Sequence, residues 1–437
     1  MTALEQLGRF VAQCGREPVS AEVRELVELH VIDAVGAWFA TVTTAEAARL
    51  YMLDQSLRNG QDPSISLKIA IRCAMARLSE VDDIHLPSMT TPGGIVIPAT
   101  LTMATAMKAP TAEGVIAAIL AGYEVMTRLG RALDGPTILY RGIWPTYFAA
   151  PVAVAAVIAR LIDLDEKQSA NALALALTMA SPGVGHHNAE TTSRWLAVGH
   201  AASQGVTAAA GAAQGFTSDL NLIEGSFLSG IYGMTPDIAA LTDELGGGTV
   251  LREVSFKPWC AARQTMPATQ ALREIIDSGV TADGISELRA FVLPPHLKMI
   301  DHGVVAGDRA SHLTSLPYRM AVAAVAPQLA LQVQQSPADL PPGIREFMGK
   351  IKVEADESLL EDYPHRWRAR VRVATGAGTR EVEVTEVPGD PSLAFNRFMV
   401  EEKFRRFVGD AFGAAEAEEV LTRCKNGMAS GDFTSLV

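Results

Sequence analysis

The sequence predicts a mostly α-helical protein. A large all-helical domain, formed by both ends of the chain, receives a smaller α+β domain as an insertion. Three observations predict this. Ala-rich apolar residues recur at three- and four-residue spacing through most of the first 250 positions. Residues 367–373 (WRARVRV) and 380–385 (REVEVT) alternate strictly around Gly376-Ala377-Gly378, the pattern of a half-exposed β-hairpin. From Leu393 the helical period returns through Phe395, Phe398, Met399, Phe404 and Phe407, so that the tail packs back on the first helices. The resulting boundaries are 1–257 and 391–437 for the helical domain and 258–390 for the α+β domain.

Each element has its own signal. Pro18 and Ser20 introduce a helix to about Phe39, with Val23, Leu26, Val27, Val31, Ala34, Val35 and Trp38 on its apolar side. A second helix over 66–78 feeds a polar loop, 78–94 (LSEVDDIHLPSMTTPGG), whose Pro-Gly-Gly reads as a breaker, and a third leaves it over 97–107. The helix over 114–133 carries Tyr123, Glu124, Arg128 and Arg131 at ion-pair spacing. A second polar break, 134–147 (DGPTILYRGIWPTY), precedes Ala-rich helices over 149–162 and 167–180. A third break, 182–195 (PGVGHHNAETTSRW), precedes a helix over 199–214. No strand signal persists before residue 250. Beyond Gly246-Gly247-Gly248, a short strand is expected over 250–256, a helix over 266–277, and a strand over 287–293 stopped by Pro294-Pro295.

Composition narrows the function. Hydrophobic residues make up 48% and charged residues 20% of 437 positions, enough for a sizeable core. A formal net charge of -12 argues against nucleic acid as a partner. The longest apolar run, 149–162, is broken by Arg160 and too short to span a bilayer, so no membrane association is expected. The start, MTALEQLGRFVAQCGREP, shows no leader pattern, and a cytoplasmic location is expected. Cys14, Cys73, Cys260 and Cys424 are scattered, without CxxC or zinc-finger spacing. No metal site is expected, although His85 with Asp82, or His186, His187 and Glu190, are the nearest approach to one. Gly246-Gly247-Gly248 lacks the lysine and helix of a phosphate loop, and no GxGxxG follows a strand.

The loop 78–94 concentrates the chemistry: Glu80, Asp82, Asp83, His85, Ser88, Thr90 and Thr91 lie between two apolar helices. The competing reading is a solvated loop with a capping Asp.

Six segments in order resemble the MmgE/PrpD family, which includes 2-methylcitrate dehydratase, cis-aconitate decarboxylase and iminodisuccinate epimerase. They are VDDIHLPSMTTPGG with IVIPATLTMA; RGIWPTYFAAPVAVAAVIARLIDLD; SRWLAVGHAASQGVTAAAGAAQGF; EVSFKPWCAARQT; LPYRMAVA; and EEKFRRFVGD. The resemblance implies a helical domain with an α+β lid domain, commonly in a homodimer. It also implies a cofactor-free enzyme that moves a proton beside a carboxylate of a small carboxylate substrate. Loss of water, loss of carbon dioxide or reprotonation follows.

By the same resemblance Lys257 (in FKPW) matches an active-site lysine, Tyr318 (in LPY) a family tyrosine, and Asp82, Asp83 and His85 the DD-x-H core. These five are the catalytic candidates. Glu80, Thr91, Tyr140, Trp144, Arg194, His200 and Arg263 are the substrate-binding candidates. The structural alternatives are a surface lysine for Lys257, a core tyrosine for Tyr318, a capping role for either Asp, and hydrogen-bonding roles for His85 and His200.

Departures from the family pattern are pronounced. Glu80 stands for Asp, Ile84 for Thr, Thr91 and Trp144 for the His of His-Pro, Arg194 for Lys, and Met266 for His. Threonine and tryptophan cannot titrate near neutral pH, and arginine cannot act as a base. Trp144, Tyr140 and Tyr147 then shape a larger or more apolar pocket, and isomerisation, epimerisation or decarboxylation is favoured over dehydration. The rival class is a non-catalytic binding paralogue.

Overall fold

Capping side chains set where the helices begin. The computed structural model describes residues 1–58, 60–181, 191–246, 250–334 and 339–436. Helix α1 (Ala3–Gln13) opens on a capping box of Thr2 and Glu5. At α2 (Ala21–Phe39) the Ser20 hydroxyl accepts the Val23 N–H at 3.2 Å. Helices α3 (Ala45–Arg58) and α4 (Ile65–Leu78) follow, then a two-residue strand β1 (Ile84–His85) and α5 (Gly93–Ala104). Next come α6 (Ala112–Ala132), α7 (Gly135–Tyr140), α8 (Pro145–Leu161), α9 (Glu166–Met179), α10 (Ser193–Ala213), α11 (Ile238–Thr242) and the two-residue β2 (Val254–Ser255).

By their contacts, the described residues of Met1–Gly185, Thr191–Phe256 and Asn396–Val437 form one unit, and those of Lys257–Phe395 a second. In the first unit α8 is buried along almost its whole length and packs on α5, α6, α9 and α10. Small residues permit that closeness: a Cβ on Gly205 of α10 would lie 2.4 Å from the Pro151 carbonyl of α8, and one on Gly199 would lie 2.4 Å from the Ala70 carbonyl of α4.

The second unit holds α12 (Met266–Asp277), β3 (Ile285–Val292), α13 (Pro294–Ile300), α14 (Arg309–Thr314), α15 (Leu316–Val325), α16 (Pro342–Met348), β4 (Ile351–Ala355), β5 (Ala369–Thr375) and β6 (Gly378–Val384). Its sheet has the order β4-β3-β5-β6, with β3 parallel to β4 and antiparallel to β5. Thr375 pairs with Gly378, leaving Gly376-Ala377 as a two-residue turn. One face buries Leu288, Ala290, Val371 and Val373 against α12, while Arg289 and Lys352 pair with Glu287 on the solvent side. The chain then returns to the first unit with α17 (Arg397–Phe412) and α18 (Ala414–Ser430), and α17 packs on α2.

The molecule is thus mostly helical with small sheets. Several sequence expectations change in detail. Lys257, assigned above to the last position of the helical domain, is the first residue of the second unit, and 391–395 belong with that unit too. The expected strand over 250–256 is a 3-10 turn followed by β2, and β1 is a strand where none was expected. Pro294-Pro295 stops β3 but also starts α13. Only part of the tail's apolar period faces inward: Phe404 and Phe407 are buried, whereas Phe398 is 70% exposed. Helix α3 gave no signal because it buries only Ala47 and Leu50 and exposes Tyr51, Met52 and Leu57. Most of the break at 182–195 and the glycines at 247–248 lie outside the described residues. Among the described residues no helix is long and apolar enough to cross a membrane.

Candidate active site

The loop after α4 is buried, not solvated. Arg77, in the last turn of α4, bonds both carboxylate oxygens of Asp82 and reaches Glu80 Oε1 at 3.2 Å. Arg194, in the first turn of α10, reaches the same Glu80 oxygen at 3.1 Å. Burial alone would lower the Arg77 pKa, but the charges of Asp82 and Glu80 outweigh it and raise the pKa, holding the guanidinium ionised. Glu80 adopts a left-handed backbone (φ 52°), a conformation that costs a non-glycine residue on the order of 1 kcal/mol. Its carboxylate, clasped by two guanidiniums, offsets that strain.

Asp83 faces the opposite way. Its Oδ2 meets His30 Nδ1 at 2.8 Å and accepts the Tyr123 hydroxyl at 2.6 Å, while Oδ1 accepts the Gly93 N–H at 2.7 Å. Burial pushes its pKa up, but the His30, Tyr123 and Gly93 contacts push harder, and the net shift is downward. A carboxylate so engaged anchors three elements, and its lowered pKa makes it a weak base. His30 is itself fixed by stacking on Phe256, 4.6 Å between ring centroids.

The Pro-Gly-Gly expected to break the chain instead starts α5. A Cβ on Gly93 would fall 2.6 Å from Asp83 Oδ2, and one on Gly94 would fall 2.5 Å from Asp82 Oδ2. Two glycines therefore let two carboxylates approach the N-terminus of a helix, where N–H groups and dipole favour negative charge.

His85 holds the loop closed. Its backbone N–H donates to the Thr90 carbonyl at 2.8 Å, its Nδ1 meets Ser88 Oγ at 2.8 Å and its Nε2 meets Glu253 Oε2 at 3.1 Å. Glu253 is held in turn by Arg131 at 2.6 Å. Both ring nitrogens are engaged and the residue is fully buried, so His85 ties Ser88 and Glu253 together at the β1–β2 junction. His186, His187 and Glu190 lie outside the described residues.

The remaining first-unit candidates divide into two groups. Trp144 caps α8, and its indole lies under the Arg194 guanidinium (4.6 Å to the ring centroid); the Trp195 indole lies 4.5 Å from the same group. Tyr147 packs beside Trp144 at 5.4 Å. Thr91 is tied to Thr146, receiving its oxygen on the backbone N–H at 3.0 Å and meeting it again through Oγ1 at 3.1 Å. Tyr140 ends α7, half-buried. His200 does not join them: it sits on an exposed face of α10, where its Nε2 meets Gln204 at 3.3 Å.

In the second unit Lys257 is 2% exposed, which removes the surface-lysine reading. Tyr318 is buried at the start of α15, edge-on to His312, and burial raises its pKa. Arg263 is buried and bonded to Asp390 at 2.6 Å, and the same Asp390 oxygen accepts the Val387 N–H at 2.8 Å. That guanidinium latches the 387–390 turn. Met266 is fully buried at the first position of α12.

Sequence reasoning missed Arg77, His30, Thr146 and Trp195. Arg77 had a readable signal, a lone guanidinium three residues before Glu80 at the end of an apolar helix. His30 and Tyr123 lie 53 and 40 positions from Asp83, a separation that local pattern does not bridge.

A family model for the MmgE/PrpD N-terminal domain matches residues 5–235, and one for the MmgE/PrpD C-terminal domain matches residues 259–426. The chain belongs to the MmgE/PrpD family, which includes dehydratases and related enzymes. No individual curated protein matches it.

Proposed function

We propose that this member of the MmgE/PrpD family is a cofactor-independent lyase or isomerase. It moves a proton at the carbon beside a carboxylate of a small substrate, and loss of water, loss of carbon dioxide or epimerisation follows. Such chemistry needs a base near the carbon, cations for the carboxylate and the developing enolate charge, and an acid for the returning proton. Lys257 is the residue we assign to the base, with Tyr318 as the proton donor.

The observation that carries this reading is the burial of Lys257, the only buried lysine among the described residues. An ammonium group resists leaving water unless an anion or a task holds it there. The first-unit loop supplies the alternative bases, and they are spent: Asp82 on Arg77, Asp83 on three donors, His85 on Ser88 and Glu253. Thr91, Trp144 and Met266 offer no titrating group. A site with few proton carriers suits epimerisation, isomerisation or decarboxylation better than assisted loss of hydroxide.

The test is proton NMR in deuterium oxide with 2-methylcitrate, citrate, cis-aconitate, iminodisuccinate and less charged analogues. Deuterium is expected at a carbon beside a carboxylate, and its entry is expected to stop in Lys257→Ala. Rapid dehydration of 2-methylcitrate would refute the preference among outcomes. Exchange that survives Lys257→Ala would refute the assignment of the base. The committed carboxylates of the loop favour a second reading, a binding protein without turnover; it predicts ligand binding with no exchange in the native chain.

A further inference from the structure

We propose that the Trp144–Tyr147–Arg194 end of the loop site receives an uncharged oxygen acceptor of the substrate, a keto, hydroxyl or ester oxygen on an apolar group, and not a carboxylate. This rests on the reading that the loop site binds the substrate, and it names the substrate class.

The first argument is charge. The cluster contains two guanidiniums, Arg77 and Arg194, and two carboxylates, Glu80 and Asp82. Asp82 is held by Arg77 and Glu80 is shared between both arginines, so each guanidinium already faces a carboxylate of the protein. A carboxylate added here would bury an unmatched negative charge beside Glu80.

The second argument is hydrogen bonding. Among the described residues, four polar groups of this cluster have no hydrogen-bond partner: Trp144 Nε1, the Tyr147 hydroxyl, Arg194 Nε and Arg77 Nε. Their residues are 7%, 2%, 8% and 4% exposed. Buried donors left without acceptors are costly, and each is suited to an oxygen lone pair. Trp144 Nε1 can only donate, which specifies an acceptor. The third argument is shape. Indoles approach the Arg194 guanidinium from Trp144 and Trp195, and Glu80 occupies one of its terminal nitrogens. A carboxylate docking on the rest of that guanidinium would lie beside the Glu80 carboxylate and be repelled by it. What remains is a set of single donors bordered by aromatic carbon.

The probes are monomethyl succinate and succinate, which differ at one end by a neutral ester against a carboxylate. Calorimetric titration of the whole native chain is expected to show at least about tenfold tighter binding of the monomethyl ester. Trp144→Phe keeps an aromatic ring and removes the donor; the ester's advantage is expected to fall about tenfold while succinate binding stays within about twofold. Glu80→Gln releases one matched cation, and the preference is expected to invert toward succinate. Tighter binding of succinate by the native chain would overturn the proposal. So would an unchanged ratio in folded Glu80→Gln and Trp144→Phe, or binding of neither probe. The proton-transfer reading fails separately, by absence of deuterium exchange, and its failure leaves an ester preference in the titrations intact.

Discussion

Replacing Asp83 by asparagine should cost the helical unit about 3–5 kcal/mol, and the figure follows from counting donors. Three reach the carboxylate: His30 and Tyr123 on Oδ2, the Gly93 N–H on Oδ1. An asparagine of the same shape offers one acceptor and one donor. If its oxygen keeps His30 and Tyr123, its amide N–H groups confront the Gly93 N–H; if it keeps Gly93, they confront His30. Either way a fully buried donor is orphaned and the charge that strengthened the other bonds is gone. Equilibrium unfolding in urea, followed by far-UV circular dichroism, measures the loss as a shift in midpoint. A loss below about 1 kcal/mol would refute the anchor role, since it is what an ordinary surface hydrogen bond contributes.

The same anchor has a pH signature. Asp83 is depressed below its ordinary value of 3.8 in the folded protein. Its contribution is therefore fully present above 3.8 and is lost as pH falls below that value toward the folded pKa, because the unfolded chain takes up the proton first. The native protein should lose stability over that acid range more steeply than Asp83→Asn does.

Other perturbations follow from the same geometry. Gly93→Ala places a methyl group 2.6 Å from the Asp83 carboxylate and should lower stability by about 2 kcal/mol or more, read as a fall in thermal midpoint. His296, buried edge-on to Trp367, is pushed down to about 3 by burial, so the folded protein keeps it neutral while the unfolded chain protonates it below 6.5. Stability should then fall by about 1 kcal/mol per pH unit between 6.5 and 3, and urea midpoints of His296→Phe should fall less steeply over that range. Trp144→His and Arg194→Lys should not be additive: a double-mutant cycle on urea stability is expected to show coupling of about 1 kcal/mol, and strict additivity would refute direct stacking.

How much of this was legible depends on sequence distance. Long helices with capping residues were readable because their signals are local: Ser20 and Val23, or the alternation of β5 and β6, lie within a few residues. The helix over 266–277 coincides with the expected one for the same reason. Pro-Gly-Gly was misread because glycine at a helix start and glycine at a break look alike in sequence. Only the approach of Asp82 and Asp83, ten to twelve residues away along the chain, distinguishes them. The chemical loop was found by its composition, yet the roles inside it were not. Whether a carboxylate is a base or an anchor depends on partners such as His30 and Tyr123, which arrive from other helices. Family resemblance supplied candidate positions, and geometry shows what each side chain touches.

Two departures from the family pattern form one physical unit. An ammonium is a hydrated point charge that gains little from an indole face beneath it, whereas a guanidinium is planar and sheds its water more readily. Arg194 lies flat enough to meet both Trp144 and Trp195 within 4.6 Å while still reaching Glu80. Lysine in place of Arg194 would give up the stack, and histidine in place of Trp144 would leave a smaller ring beneath the cation. The Glu80 carboxylate completes the set, because it matches a charge that would otherwise be buried beside aromatic carbon. Arg194, Trp144 and Glu80 thus bring a fixed cation, an indole donor and a matching carboxylate into one cluster. Lys257→Ala and Trp144→Phe therefore test two separate proposals, the first the assigned base and the second the acceptor-binding end of the loop.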